Sequence, residues 1–147
     1  MKPFKYKLSS VLKLREFEKQ KIENQLSVLN NDIMNIKYKI NTNEESISEL
    51  QSNINLAGER RGLDVGLIQY FPEFLNATEK EIKNLSEELK DKERKRQEVL
   101  KHLDEALSRV KILENDKKKK QLSYKFQQQK KENLELEDMQ IILRGRG

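Results

Sequence analysis

Counting from Leu8 in alternating steps of four and three residues gives a long seam of apolar positions. Its slots are Leu8, Leu12, Arg15, Lys19, Ile22, Leu26, Leu29, Ile33, Ile36, Ile40, Asn43, Ile47, Leu50 and Ile54, and eleven of these fourteen are apolar. The residues between them are mostly Lys, Glu, Asn, Gln and Ser, which suit a solvated outer face. A sevenfold repeat kept for this long predicts a helix with a left-handed coiled-coil stripe. Ser9 or Ser10 suits an early helix cap, while Phe4, Tyr6 and Leu8 predict that order begins before them.

The phase then breaks at NLAGERRGLDVGLIQYFPEF, which holds Gly58, Gly62, Gly66 and Pro72. Each glycine weakens a helix interior by about 1 kcal/mol. The break predicts a turn over residues 57–71, with Pro72 in the first turn of the next helix, where its missing N–H costs no internal bond. A second seam follows through Leu75, Thr78, Ile82, Leu85, Leu89, Lys92, Arg96, Val99, Leu103, Ala106, Val110 and Leu113, and weakens at Lys117, Lys120, Tyr124 and Gln127.

Two apolar stripes joined by a short break bury each other best by folding back. The expected fold is all-α, a long two-helix antiparallel coiled-coil hairpin forming one domain over 1–147. Helix 1 is expected over about 5–56, helix 2 over about 72–132 and a tail over about 133–147. Pairing Ile54 with Leu75 sets a register in which Leu8 faces the region of Gln121. The apolar residues of the tail (Leu134, Leu136, Met139, Ile141, Ile142 and Leu143) then have no partner, which predicts a segment that is frayed or folds on binding. Asn43 reads as a device that fixes register, and Lys92 and Arg96 as seam cations whose heads reach water.

Composition agrees with the pattern. Of 147 residues, 37% are charged and 35% hydrophobic, against roughly 25% charged in ordinary soluble domains. A narrow seam needs fewer apolar residues than a globular core. There is no cysteine, so thiol and disulfide chemistry is excluded. No apolar run approaches the roughly 20 residues of a transmembrane helix, and the charged start lacks the apolar core of a signal peptide. The expected location is cytoplasmic.

The net charge of +5 is unevenly spread. Residues 1–21 carry seven Lys or Arg and two acids, and residues 109–131 carry nine and two. The expected register gathers both stretches at one end, which favours an acidic partner or a nucleic acid there. Arg15, Lys19, Lys117, Lys118, Lys119 and Lys120 are the candidate contacts. A second candidate surface is the aromatic cluster Tyr70, Phe71 and Phe74, in a chain with only nine aromatic residues. Such rings either close the end of the helix pair or anchor a partner.

No catalytic constellation is present. The single histidine, His102, lies on a helix flank beside Leu103. No His–Cys cluster suits zinc, there is no glycine loop of the phosphate-binding type, and Glu44–Glu45 and Glu87–Glu88 point to different faces. No enzyme activity, cofactor or metal is expected.

The stretch FKYKLSSVLKLRE, with Phe4, Tyr6, Leu8, Val11, Leu12, Leu14, Arg15 and Glu16, resembles the opening of the flagellar export protein FliJ family. The segment QYFPEFLNATEKEI and the run QQQKK at Gln127–Lys131 are also similar to that family. The acidic pair usual after that run is at best displaced to Glu137–Asp138. The resemblance implies a non-enzymatic stalk-like part in type III export, held by the hexameric flagellar export ATPase and touching the membrane export gate. It also implies handling of export chaperones and a peripheral place at the inner face of the cell membrane. On that reading Arg15, Lys19 and Lys117–Lys120 meet the ATPase, and Tyr70, Phe71, Phe74 and Thr78 meet the gate. Injectisome stalk proteins have the same layout. A basic coiled coil binding nucleic acid non-specifically, or a structural spacer, are the readings from other classes. The residues that read bases are missing.

Overall fold

The computed structural model describes residues 2–59 and 65–146, and at positions 57, 59, 65 and 67 the backbone only. The fold class is all-α, with two long helices and no strand among the described residues, consistent with the antiparallel hairpin that the seams predict. Helix α1 spans Ser9–Glu59 and α2 spans Val65–Gly145. Contacts divide the chain into two compact units. One holds residues 1–21 and 102–147, the other residues 22–101.

Helix α1 starts where the first internal bond forms. The Leu12 amide donates to the Leu8 carbonyl at 2.9 Å, and the Ser9 amide reaches the Tyr6 carbonyl at 3.2 Å. Leu8 therefore takes the cap position and Ser9 is already helical. Residues 2–6 precede any helix, so the expected start near residue 5 is several residues early. No proline interrupts α1. Gly58 continues it without a positive φ and with open space where a side chain would stand. A glycine that only weakens a helix is overridden when neighbouring turns propagate through it.

The two helices take up part of the expected turn over 57–71. Residues 57–59 belong to α1 and 65–71 to α2; the part of that turn at 60–64 lies outside the described residues. Pro72 stands inside α2 and not in its first turn. It cannot donate to the Ile68 carbonyl four residues back. Ile68 itself is exposed.

In the unit of residues 22–101, every α1 seam slot from Ile22 to Ile54 is at least half-buried, and Ile33 and Ile36 are buried outright. On α2 the slots from Leu75 to Val99 are likewise covered, Arg96 excepted, with Thr78 and Leu85 buried. Full burial of one such aliphatic side chain contributes about 1.5–3 kcal/mol. Lys92 Nζ donates to Asp32 Oδ2 at 3.5 Å across the pair. The expected register puts Asp32 opposite Gln97. The lysine lies about 7.5 Å nearer the start of α2 at 1.5 Å per residue, much of which its own stem spans.

In the other unit Tyr6, Leu12, Ala106 and Val110 are buried. The expected tail is helical up to Gly145. Lys, Glu, Gln and Leu are good helix formers and nothing breaks them before that glycine. All of residues 129–146 are exposed, including Leu134, Leu136, Met139, Ile141, Ile142 and Leu143. That stretch keeps its helix without covering its apolar residues.

Candidate functional site

The basic candidates share the unit of residues 1–21 and 102–147, which has eighteen Lys and Arg against ten acids, a net +8. Arg15 is half-buried in its seam slot and pairs locally, its Nη1 lying 3.1 Å from Glu18 Oε2. Lys19 is half-buried. Lys117, Lys118 and Lys119 are exposed, and Lys117 and Lys118 enter no ion pair among the described residues. Lys120 Nζ lies 3.2 Å from Asp116 Oδ2 and 5.7 Å from the centre of the Tyr6 ring. Four successive residues fan around a helix at about 100° each, so this run does not form one flat patch.

Sequence reasoning missed what Lys120 leans on. Residues 2–6 lie along α2 as a non-helical strap. The Tyr6 hydroxyl donates to Asp116 Oδ2 at 2.6 Å, and the Tyr6 side chain is 6% exposed. The Phe4 and Tyr124 rings meet at 5.6 Å with a tilt of 48°, and the Tyr124 hydroxyl donates to the Lys2 carbonyl. Asp116, Lys120, Tyr124 and Gln128 recur every fourth residue and form one stripe of α2. The acceptor bond to Asp116, with burial and its negative charge, pushes the Tyr6 hydroxyl up to about 12. The same bond and Lys120 hold the Asp116 carboxyl below its usual value. The signal for this strap was legible: Phe4, Tyr6 and Leu8 alternate with Lys5 and Lys7, a period of two that suits extended backbone and not helix.

The aromatic candidates lie in the unit of residues 22–101, on α2. Tyr70 is 56% exposed, Phe71 and Phe74 are half-buried, and the Tyr70 and Phe74 rings meet at 5.8 Å. Thr78 is buried at 7% exposure. It fills a seam slot where a partner's side chains do not reach it, unlike Tyr70, whose ring remains accessible.

His102 is exposed beside Glu105 at 3.8 Å. Among the described residues no group of acids and histidine is placed to hold a metal, and no helix is long and apolar enough to cross a membrane.

Two long heptad helices, a lysine-rich unit and a ring pair with Tyr70 accessible define the class of all-α coiled-coil proteins that present side-chain surfaces. Residues 4–146 match the model of the flagellar FliJ protein family. The chain belongs to that family, a non-enzymatic component of flagellar export. No curated protein and no solved structure matches the chain.

Proposed function

We propose that this chain is a stalk-like link between the hexameric flagellar export ATPase and the transmembrane export gate, promoting delivery of substrates and their chaperones. It works on the cytoplasmic side, peripheral to the membrane. The observation that carries the reading is the separation of chemistry within a flagellar-export family member. The unit with Arg15, Lys19 and Lys117–Lys120 is net +8, while the ring pair Tyr70–Phe74 belongs to a unit that is net −3. Lysines at helix positions suit an acidic surface on the ATPase and speed association. Tyr70, Phe71 and Phe74 suit an apolar pocket on the gate. Thr78 serves this surface by fixing the helix beneath it.

The test is a pair of variants measured against both partners. Lys117→Glu with Lys118→Glu and Lys119→Glu is expected to slow association with the ATPase and flatten its salt dependence, leaving gate binding unchanged. Phe74→Ala is expected to weaken gate binding by about 1–3 kcal/mol with ATPase binding intact. Thermal melts on the same samples separate lost contact from lost packing. If each variant affects both partners equally, or Phe74→Ala lowers only the melting temperature, the two-surface reading fails.

A further inference from the structure

The strap and the turn that follows it carry three lysines, Lys2, Lys5 and Lys7, all exposed, and the strap lies on a helix that itself presents Lys117, Lys119 and Lys125. Like charges repel, and Glu132 and Glu135, which share a surface groove with Lys2, offset part of that repulsion. The contacts that hold them together are few: the Tyr6 bond to Asp116, the Phe4 ring on Tyr124 and the Tyr124 bond to the Lys2 carbonyl. Asp116 is the acid at the junction, bound by Tyr6 from the strap and Lys120 from the helix.

We propose that the strap and α2 together form one composite cationic surface for an acidic protein segment, with the Tyr6–Asp116 bond as the latch that assembles it. This rests on the reading of the basic unit as the ATPase-facing one, and names its recognition device. An acidic ligand lying across Lys2, Lys5 and Lys7 and their helical neighbours removes the repulsion that opposes docking. Ligand binding and strap docking therefore reinforce each other, as linkage requires. Tyr6 and Asp116 are positioning residues: neither has to touch the ligand. The choice of a protein ligand rests on the reading of this unit as the ATPase-facing one. Six lysines attract carboxylates and phosphates alike, and the DNA arm of the experiment separates the two.

The experiment uses the full chain and a fluorescent polyglutamate peptide at fixed low salt, read by anisotropy. Proton NMR contacts between the Phe4 and Tyr124 rings report docking of the strap. Tyr6→Phe keeps every charge and the ring. It is expected to weaken those ring contacts and to weaken polyglutamate binding about fivefold, the lower end of ordinary coupling. Lys2→Ser with Lys5→Ser and Lys7→Ser is expected to weaken binding further and reduce its salt slope. In the wild-type chain polyglutamate should strengthen the ring contacts. Ring contacts unchanged in Tyr6→Phe overturn the Tyr6–Asp116 bond as the latch. Tyr6→Ala supplies a fully undocked chain. Wild-type affinity in an undocked chain overturns the latch while leaving the acidic-partner reading intact. Unchanged binding after Lys117→Glu, Lys119→Glu and Lys125→Glu overturns both. Duplex DNA binding more tightly than polyglutamate at the same salt overturns the assignment of a protein ligand.

Discussion

Among the described residues of the unit 22–101 the buried side chains are Ile33, Ile36, Thr78 and Leu85, and one ion pair, Asp32–Lys92, joins the helices. In the unit of residues 1–21 and 102–147 they are Tyr6, Leu12, Ala106 and Val110, and the joining bonds are Tyr6–Asp116 and Tyr124–Lys2. The first is held by a heptad stripe of branched aliphatics. The second keeps that stripe only to Leu113, after which the seam slots are Lys117, Lys120, Tyr124 and Gln127. There the strap takes over, its Phe4 ring meeting Tyr124 and its Tyr6 hydroxyl meeting Asp116. A helix pair can thus be strongly basic and still be closed, provided that the closing groups come from a segment with a different period.

The comparison breaks most sharply at Ile36, which is 5% exposed. Ile36→Ala should destabilise the protein by about 3 kcal/mol, as for other large-to-small changes in a packed seam. Urea unfolding followed by circular dichroism measures this. A loss below about 1 kcal/mol would mean that the aliphatic stripe is not what holds this unit. Pro72 gives the next effect, with the opposite sign. As an interior helix residue it lacks the bond to the Ile68 carbonyl. Pro72→Ala should stabilise by about 2 kcal/mol, somewhat less than the full difference in helix propensity. An unchanged melting temperature would show that α2 is not continuous through residues 68–72.

Asn43 tests whether the aliphatic stripe is optimised for stability or for register. Its Nδ2 is buried with no hydrogen-bond partner. An orphaned buried donor costs about 1–3 kcal/mol. Asn43→Leu should therefore raise stability by about 1–2 kcal/mol while loosening the pairing, since polar seam residues specify register at a cost in stability. Spin labels at positions 32 and 92 would report this as a broadened distance distribution. A destabilised variant with an unbroadened distribution would count against both parts.

Most of the fold was legible because a heptad seam is a redundant signal. Ile22 to Ile54 are all covered as the four-three count requires, and a single polar slot such as Asn43 does not disturb it. The helix ends were less legible. Gly58, Gly66 and Pro72 are local penalties of about 1–3 kcal/mol each, and propagation from long flanking helices outweighs them. The candidate surfaces were legible as charge and ring content but not as geometry. Nothing in the heptad count indicates that Lys120 pairs with Asp116 beside the Tyr6 ring, or that Thr78 is closed off while Tyr70 is open. The strap was missed because helical periodicity was carried through residues whose alternation is twofold.

The smallest expected effect is local and pH-dependent, and it tests the strap alone. Asp116 is held below its usual value of 3.8, first by the Tyr6 hydroxyl and then by Lys120. A carboxyl depressed in the docked state stabilises docking above its undocked value, and that contribution is lost as the pH falls through the docked value. Tyr6 is raised from 10.0 to about 12, first by Asp116. A raised hydroxyl contributes fully below 10.0 and loses its contribution as the pH climbs toward about 12. The strap should therefore stay docked across the neutral range and loosen at both edges. The acid edge is the one to follow, because it reports Asp116 itself. Tyr6 ring resonances followed by NMR should hold steady down to about pH 4 and move below it. In Asp116→Asn they should start nearer their undocked positions and show no acid transition. Movement of the wild-type ring near neutral pH, or an acid transition that persists in Asp116→Asn, would assign the titration to another group and remove Asp116 as the latch.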